Sequence, residues 1–277
     1  MKPDRVINIH THLRNDDLAA RVKVWRQWNV EKVVCQCLPA RLAGAGSGNA
    51  DFLETRKLYP DILLGFAGPE LNGDKFDTPD DIRRYADQGF VGLKFIDPAY
   101  PYNHEVYWPL YETAQELGMP ILFHTGYLGG ATGAQGRVTD AMRMTPYQFD
   151  RIARVFPRLT LIGAHMGHPE MNIALYLSEF FPNLYFDFTG GGGRKPHVRM
   201  MLSSLLPHAG LETNMADPEE NRALVWFQKL VFGTDNPEPT IWIPACEMML
   251  DRLEIPEPIR RKFYYETAAK LLGLTTK

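Results

Sequence analysis

Residues 90–126 read FVGLKFIDPAYPYNHEVYWPLYETAQELGMPILFHTG. Two apolar runs, FVGLKFI (90–96) and PILFHTG (120–126), bracket a helix-length segment at 105–117 that stops at Gly118 and Pro120. Both runs are nearly continuous in apolar residues rather than alternating. That is the pattern of strands covered on both faces, as in a parallel sheet wrapped by helices. Strand, helix, strand in this order is a βαβ unit, whose crossover is right-handed. The unit recurs outward in both directions. Before it lie VINIH (6–10), KVVCQCL (32–38) and ILLGFAG (62–68); after it come LTLIGAH (159–165), LYFDFTG (184–190) and LVFGTD (230–235), eight runs in all.

Helical segments are expected at 16–28, 78–88, 145–156, 169–181, 196–206, 218–229, 239–253 and 257–272. Thr78-Pro79 supplies an N-cap and a first-turn proline, and Gly89 a stop. The alternation predicts an α/β chain, and eight units within 277 residues predict one (β/α)8 TIM barrel over 1–277, with helix 257–272 packed on it. AGAGSGN (43–49) and TGGGG (189–193) each follow a strand directly, so they read as βα loops rather than interdomain linkers. The glycines at 190–193 lack GxGxxG spacing and are no nucleotide fingerprint.

Composition removes several classes of function. With 45% hydrophobic residues, 23% charged and a net charge of −3, the chain is neither a disordered polyelectrolyte nor a basic nucleic-acid binder. No stretch reaches the ~18 uncharged apolar residues of a membrane span, and the start lacks the apolar core of a signal peptide. Three cysteines are no disulfide framework; Cys35 and Cys37 share one face of a strand and read as buried thiols. A reducing, cytoplasmic setting is expected.

Function is read from the unusual polar residues. Barrel chemistry belongs at the C-terminal ends of strands. The first strand ends in His10-Thr11-His12, the fifth at His124, the sixth at His165 and the eighth at Asp235. These ionisable groups, from four strands, meet at one end of the barrel. Burying several imidazoles beside a carboxylate is costly unless they bind something. Imidazoles with one carboxylate form a common site for a divalent metal, zinc above all, with manganese or another divalent ion as the alternative.

HTH at the first strand, FHTG at the fifth, AHMGH at the sixth and FGTD at the eighth resemble the amidohydrolase superfamily. GFVGLKF, VYWPLYETAQELGMPILFHTG and the closing FYYETAAKLLGL are similar to its amidohydrolase-related branch, which includes aminocarboxymuconate semialdehyde decarboxylase. This chain has Thr267-Ala268 where that branch usually has Asn-Ala. The resemblance implies that His10, His12, His124 and Asp235 hold one metal, with His165 beside it. It implies a water activated to hydroxide on the metal. Asp235 then serves as the acid/base, and His165 either holds the hydroxide or polarises a carbonyl.

The reaction expected is hydrolysis of an amide, ester or lactone of a small, carboxylated substrate. Non-oxidative decarboxylation of a small unsaturated or aromatic acid is the alternative; a metal-free lactonase of the same fold is disfavoured because every ligand position is filled, and a catalytically silent binding barrel is the reading from another class. Lys94, near the end of the fourth strand, reads as a substrate-anion partner or, carboxylated, as a bridge to a second metal. Arg41, Arg137 and Arg194 sit in loops able to reach the mouth and suit a carboxylate. His168 is assigned a structural or substrate-contacting role. The expected partner is a small molecule, without nucleic acid or membrane, and a homodimer stays open.

Overall fold

The computed structural model describes residues 2–13, 17–45, 47–72, 75–128, 140–189, 222–235 and 238–274. Eight strands form one sheet in sequence order. They are β1 (Val6–Thr11), β2 (Val30–Gln36), β3 (Leu63–Ala67), β4 (Gly92–Phe95), β5 (Ile121–Phe123), β6 (Leu161–Gly163), β7 (Leu184–Phe188) and β8 (Leu230–Phe232). Every neighbouring pair is parallel. The ends of the sheet meet through a parallel bridge between Thr11 and Asp235, and the amides of Thr234 and Asp235 donate to the His10 carbonyl at 3.1 and 2.7 Å. The expected (β/α)8 barrel is therefore the fold.

Between the strands lie α1 (Leu18–Gln27), α2 (Asn49–Arg56), α3 (Pro79–Asp87), α4 (Trp108–Glu116), α5 (Gln148–Val155), α6 (Met171–Phe180), α7 (Arg222–Phe227) and α8 (Pro239–Arg252). The chain then forms α9 (Glu257–Arg261) and α10 (Thr267–Leu271), joined by one π-helical turn at Lys262–Glu266. The expected helix at 196–206 lies outside the described residues. None of the described helices is long and apolar enough to cross a membrane.

Side-chain parity sorts each strand into two faces. Ile7, Ile9, Val34, Phe66, Leu122, Ile162 and Val231 fill the barrel interior, and Tyr265, Ala268 and Ala269 close it from below. Leu93, Phe95, Ile121, Phe123, Leu161, Phe186, Phe188 and Phe232 face outward to the helices. Each fully buried aliphatic or aromatic side chain contributes roughly 1.5–3 kcal/mol, so the terminal helix is integral to the core. Lys94 and Asp187 have the inward parity, each between two outward-facing residues. Strict alternation from Ile7 and Ile9 would turn His10 outward. A register shift between Asn8 and Thr11 breaks that alternation and delivers His10 to the mouth.

Two expectations need correction. The strands at β5, β6 and β8 are three residues each, shorter than the apolar runs. His124 and His165 stand just beyond β5 and β6, and Asp235 lies past β8, held there by its bridge to Thr11. No helix was expected between the second and third strands, but α2 occupies that connection. Its N-cap is Gly48, which has no side chain to signal a start, and Phe52 is its one buried residue. A short helix with one apolar anchor leaves no periodic stripe to read.

Candidate metal centre

The seam between β1 and β8 carries the centre. Asp235 Oδ1 lies 3.7 Å from His10 Nε2 and 3.6 Å from His12 Nε2. The edge of a tetrahedron around an ion with ~2.1 Å bonds is about 3.4 Å, so these separations suit one divalent cation. Among the described residues none hydrogen-bonds the buried Nε2 of His10. An orphaned imidazole nitrogen beside a carboxylate is what a metal ligand looks like without its ion, so the donor set fits the metal the sequence implied. His12 is held from behind, its Nδ1 2.9 Å from the carbonyl of Gln36. That bond assigns Nδ1 the proton and leaves Nε2 a lone pair for a cation. Asp235 is set in the left-handed region, φ 60°, and Asp tolerates it better than most residues.

Asp187, which the sequence reading did not single out, sits fully buried beneath the imidazoles. Its Oδ2 lies 2.6 Å from His10 Nδ1. Its Oδ1 accepts the His165 amide at 2.8 Å and the Thr189 hydroxyl at 2.7 Å. The same hydroxyl is 2.6 Å from His165 Nδ1. His165 and Met166 adopt φ 56° and 52° in a tight turn after β6, which aims the His165 amide at that carboxylate. Such conformations persist where the surroundings over-determine them. The available sequence signal was that Asp187 is the one charged residue in the run LYFDFTG.

Electrostatics follow from burial. Desolvation, then the charge of Lys94, lowers His124 to about 3, and the same causes put His10 well below its ordinary value. Both are neutral at physiological pH, as ligation requires. Burial raises Asp187 to about 6, opposed by its hydrogen bonds from Thr189 and His165 and by Lys94. Burial lowers Lys94 to about 8, opposed by Asp187 and Asp235. The Lys94 ammonium and Gln36 Oε1 are buried, and no described residue hydrogen-bonds them.

The structure thus brings His10, His12, His165 and Asp235 together with Lys94 among them. His124 stands one ring away, its centroid 5.1 Å from that of His165, with Nε2 3.2 Å from the Tyr127 carbonyl. That bond assigns Nε2 the proton and leaves Nδ1 the lone pair with which His124 could join a cation-binding set. Arg41 is engaged elsewhere: its guanidinium pairs with Glu70 and Asp97 and donates to the Asp97 carbonyl at 2.8 Å. His168 is half-buried behind the turn, its carbonyl packed against Gly126. Arg137 and Arg194 lie outside the described residues.

Sequence comparison gives this architecture its family. A family model described as amidohydrolase matches residues 42–274. The chain belongs to the amidohydrolase family. The match begins beyond β1 and does not include His10 or His12.

Solved structures agree on the fold. An uncharacterised TIM-barrel protein from Bordetella bronchiseptica is 19% identical, with a TM-score of 0.66 over 92% of this chain and 82% of that one. A probable 2-pyrone-4,6-dicarboxylic acid hydrolase from Acinetobacter baumannii is 13% identical, TM-score 0.63, over 98% and 100%. A 2,6-dihydroxybenzoate decarboxylase from Rhizobium is 17% identical, TM-score 0.62, over 99% of both chains. No curated protein matches the chain. The chain is an enzyme of the amidohydrolase superfamily, whose members act on small molecules and are generally metal-dependent.

Proposed function

We propose that this amidohydrolase is a hydrolase that cleaves an amide, ester or lactone bond of a small, carboxylated substrate, with one zinc ion held by His10, His12 and Asp235. His124 completes the set through Nδ1, with its Nε2 held by the Tyr127 carbonyl. A divalent cation there supplies Lewis acidity and makes water nucleophilic near neutral pH. Asp235, on the open side of the centre, takes the proton of the attacking water as the new C–O bond forms. It returns that proton to the leaving nitrogen or oxygen as the scissile bond breaks. The reading carries with it one domain over 1–277 and a cytoplasmic setting for three buried free thiols.

The observation that carries the substrate class is Lys94. Its ammonium is buried among Asp187 and Asp235 and has no described hydrogen-bond partner. Two carboxylates face one ammonium, and a divalent cation turns that balance to a net positive charge. The centre then favours an anionic substrate, and Lys94 is the donor placed to bind its carboxylate.

The test is a screen of zinc- and manganese-reconstituted protein against small carboxylated lactones, amides and aryl or unsaturated acids in 18O-labelled water. One metal equivalent per chain, loss of turnover with chelator and 18O in the product are expected. Lys94→Met should raise KM for the carboxylate about 10–100-fold, the worth of one charge-assisted hydrogen bond. Release of CO2 without 18O uptake would make the enzyme a decarboxylase instead. Two metal equivalents at full activity would reassign Lys94 to a second metal.

A further inference from the structure

We infer that Asp187 and Thr189 are positioning residues that fix the tautomers of His10 and His165, so that each imidazole carries its proton on Nδ1 and leaves Nε2 unprotonated. The inference deepens the metal-centre reading and rests on it for its consequence, though not for its geometry. His10 Nδ1 lies 2.6 Å from Asp187 Oδ2. An ionised carboxylate has no proton to give, so the hydrogen between them belongs to His10. Thr189 Oγ1 stands between two groups, 2.7 Å from Asp187 Oδ1 and 2.6 Å from His165 Nδ1. The hydroxyl has a single proton. Directed at His165, it would leave two oxygen acceptors facing each other at 2.7 Å. The proton therefore lies toward Asp187, and His165 Nδ1 donates to Thr189. One buried carboxylate sets both rings, the first directly and the second through a hydroxyl.

His10, His165 and Asp187 also have donor atoms within 4.8 Å of one another, which is the spacing of a second cation site. The hydrogen bonds argue against a cation there. Both Asp187 oxygens already accept, and a nitrogen–oxygen gap of 2.6 Å is shorter than the ~3.4 Å edge of a tetrahedral cage. The triad is a hydrogen-bonded knot behind the centre. Such partners of ligating imidazoles change metal affinity about 10–100-fold.

The lock also decides between the two roles open to His165. With the ring's one proton on Nδ1, Nε2 of His165 carries a lone pair. Such a nitrogen accepts a hydrogen bond and does not donate one to a substrate carbonyl.

The experiment reads histidine tautomers by long-range 1H–15N NMR on metal-free, 15N-histidine-labelled protein, and zinc affinity by competition with a chelator. In the unaltered protein both His10 and His165 should be protonated at Nδ1. Thr189→Val should release His165 alone, Thr189→Ser should restore it, and Asp187→Asn should disturb both rings and weaken zinc binding about 10–100-fold. If Asp187→Asn does not fold, the Thr189 pair carries the test. An Nε2-protonated His10 or His165 in the unaltered protein, or a His165 tautomer indifferent to Thr189→Val, overturns the inference. Protein that binds no zinc but shows both Nδ1 tautomers would sink the metal reading and leave the lock standing.

Discussion

The amide of Asp235 donates to the carbonyl of His10 at 2.7 Å, and the side chains of the same two residues approach to 3.7 Å. The bond that closes the barrel thus joins two members of the candidate centre. Closure and the candidate centre draw on one stretch of backbone, so damage to the seam should be read in both.

Asn8 tests that coupling. Its fully buried amide accepts from the Thr234 and His10 amides at 3.0 and 3.3 Å and donates to the Thr234 hydroxyl at 2.9 Å. Asn8→Ala takes this acceptor from the His10 N–H and leaves the Thr234 N–H only the His10 carbonyl, at a cost of about 1–3 kcal/mol. Urea unfolding should show that loss, and chelator competition should show weaker zinc binding. A destabilised variant with unchanged zinc affinity would separate the seam from the centre.

Arg41 is expected to act on stability before it acts on substrate. It joins Pro39–Leu42 after β2 to Glu70 after β3 and to Asp97 after β4. Asp97 is 1% exposed, and Arg41 reaches both its carboxylate and its backbone carbonyl. Arg41→Met should cost about 3–5 kcal/mol by breaking a largely buried ion pair. Arg41→Met/Asp97→Asn should recover much of that in a double-mutant cycle. A stable Arg41→Met enzyme with a raised KM would return Arg41 to the substrate.

These residues show what a sequence can disclose. The barrel was legible because each parallel strand is apolar on both faces, and its strand-end histidines were legible because parallel topology puts every C-terminal end on one side. Asp187 was not, since a lone carboxylate inside LYFDFTG declares its purpose only when His10, 177 residues away, is seen against it. Arg41 suggested a substrate anchor because its partners Glu70 and Asp97 lie 29 and 56 residues further on. The β1 register shift was equally hidden: His10 and His12 share a face by spacing, but which face depends on pairing with β2.

Lys94 is expected to cost stability where it serves function. Its pKa is lowered from 10.5 to about 8 by burial. A lowered lysine withholds its contribution as pH falls from 10.5 through 8, and at pH 7 that contribution stays lost. Lys94→Met should therefore raise the stability of metal-free protein at pH 7, since the value of about 8 already includes the attraction to Asp187 and Asp235. Thermal unfolding beside the KM measurement would show the exchange. A Met variant less stable than the original would mean that the ammonium is needed to hold the two carboxylates.

Acid sensitivity of the metal-free protein should be traceable to the buried imidazoles. His124 titrates at about 3 when folded against an ordinary 6.5, so between those values the unfolded chain binds more protons and stability falls as pH falls. His10, also lowered, has the same sign. Asp187 has the opposite sign: raised from 3.8 to about 6, its contribution is full below 3.8 and is lost as pH rises through 6. Two imidazoles outweigh one carboxylate, so unfolding midpoints should drop from pH 7 to pH 4. His124→Asn removes one of the two protons taken up on unfolding in acid, worth about 1.4 kcal/mol per pH unit. Urea titrations of EDTA-treated protein at pH 4.5 and 7 should show a shallower dependence for the variant. An identical slope would mean that His124 is protonated in the folded chain and is no neutral ligand in waiting.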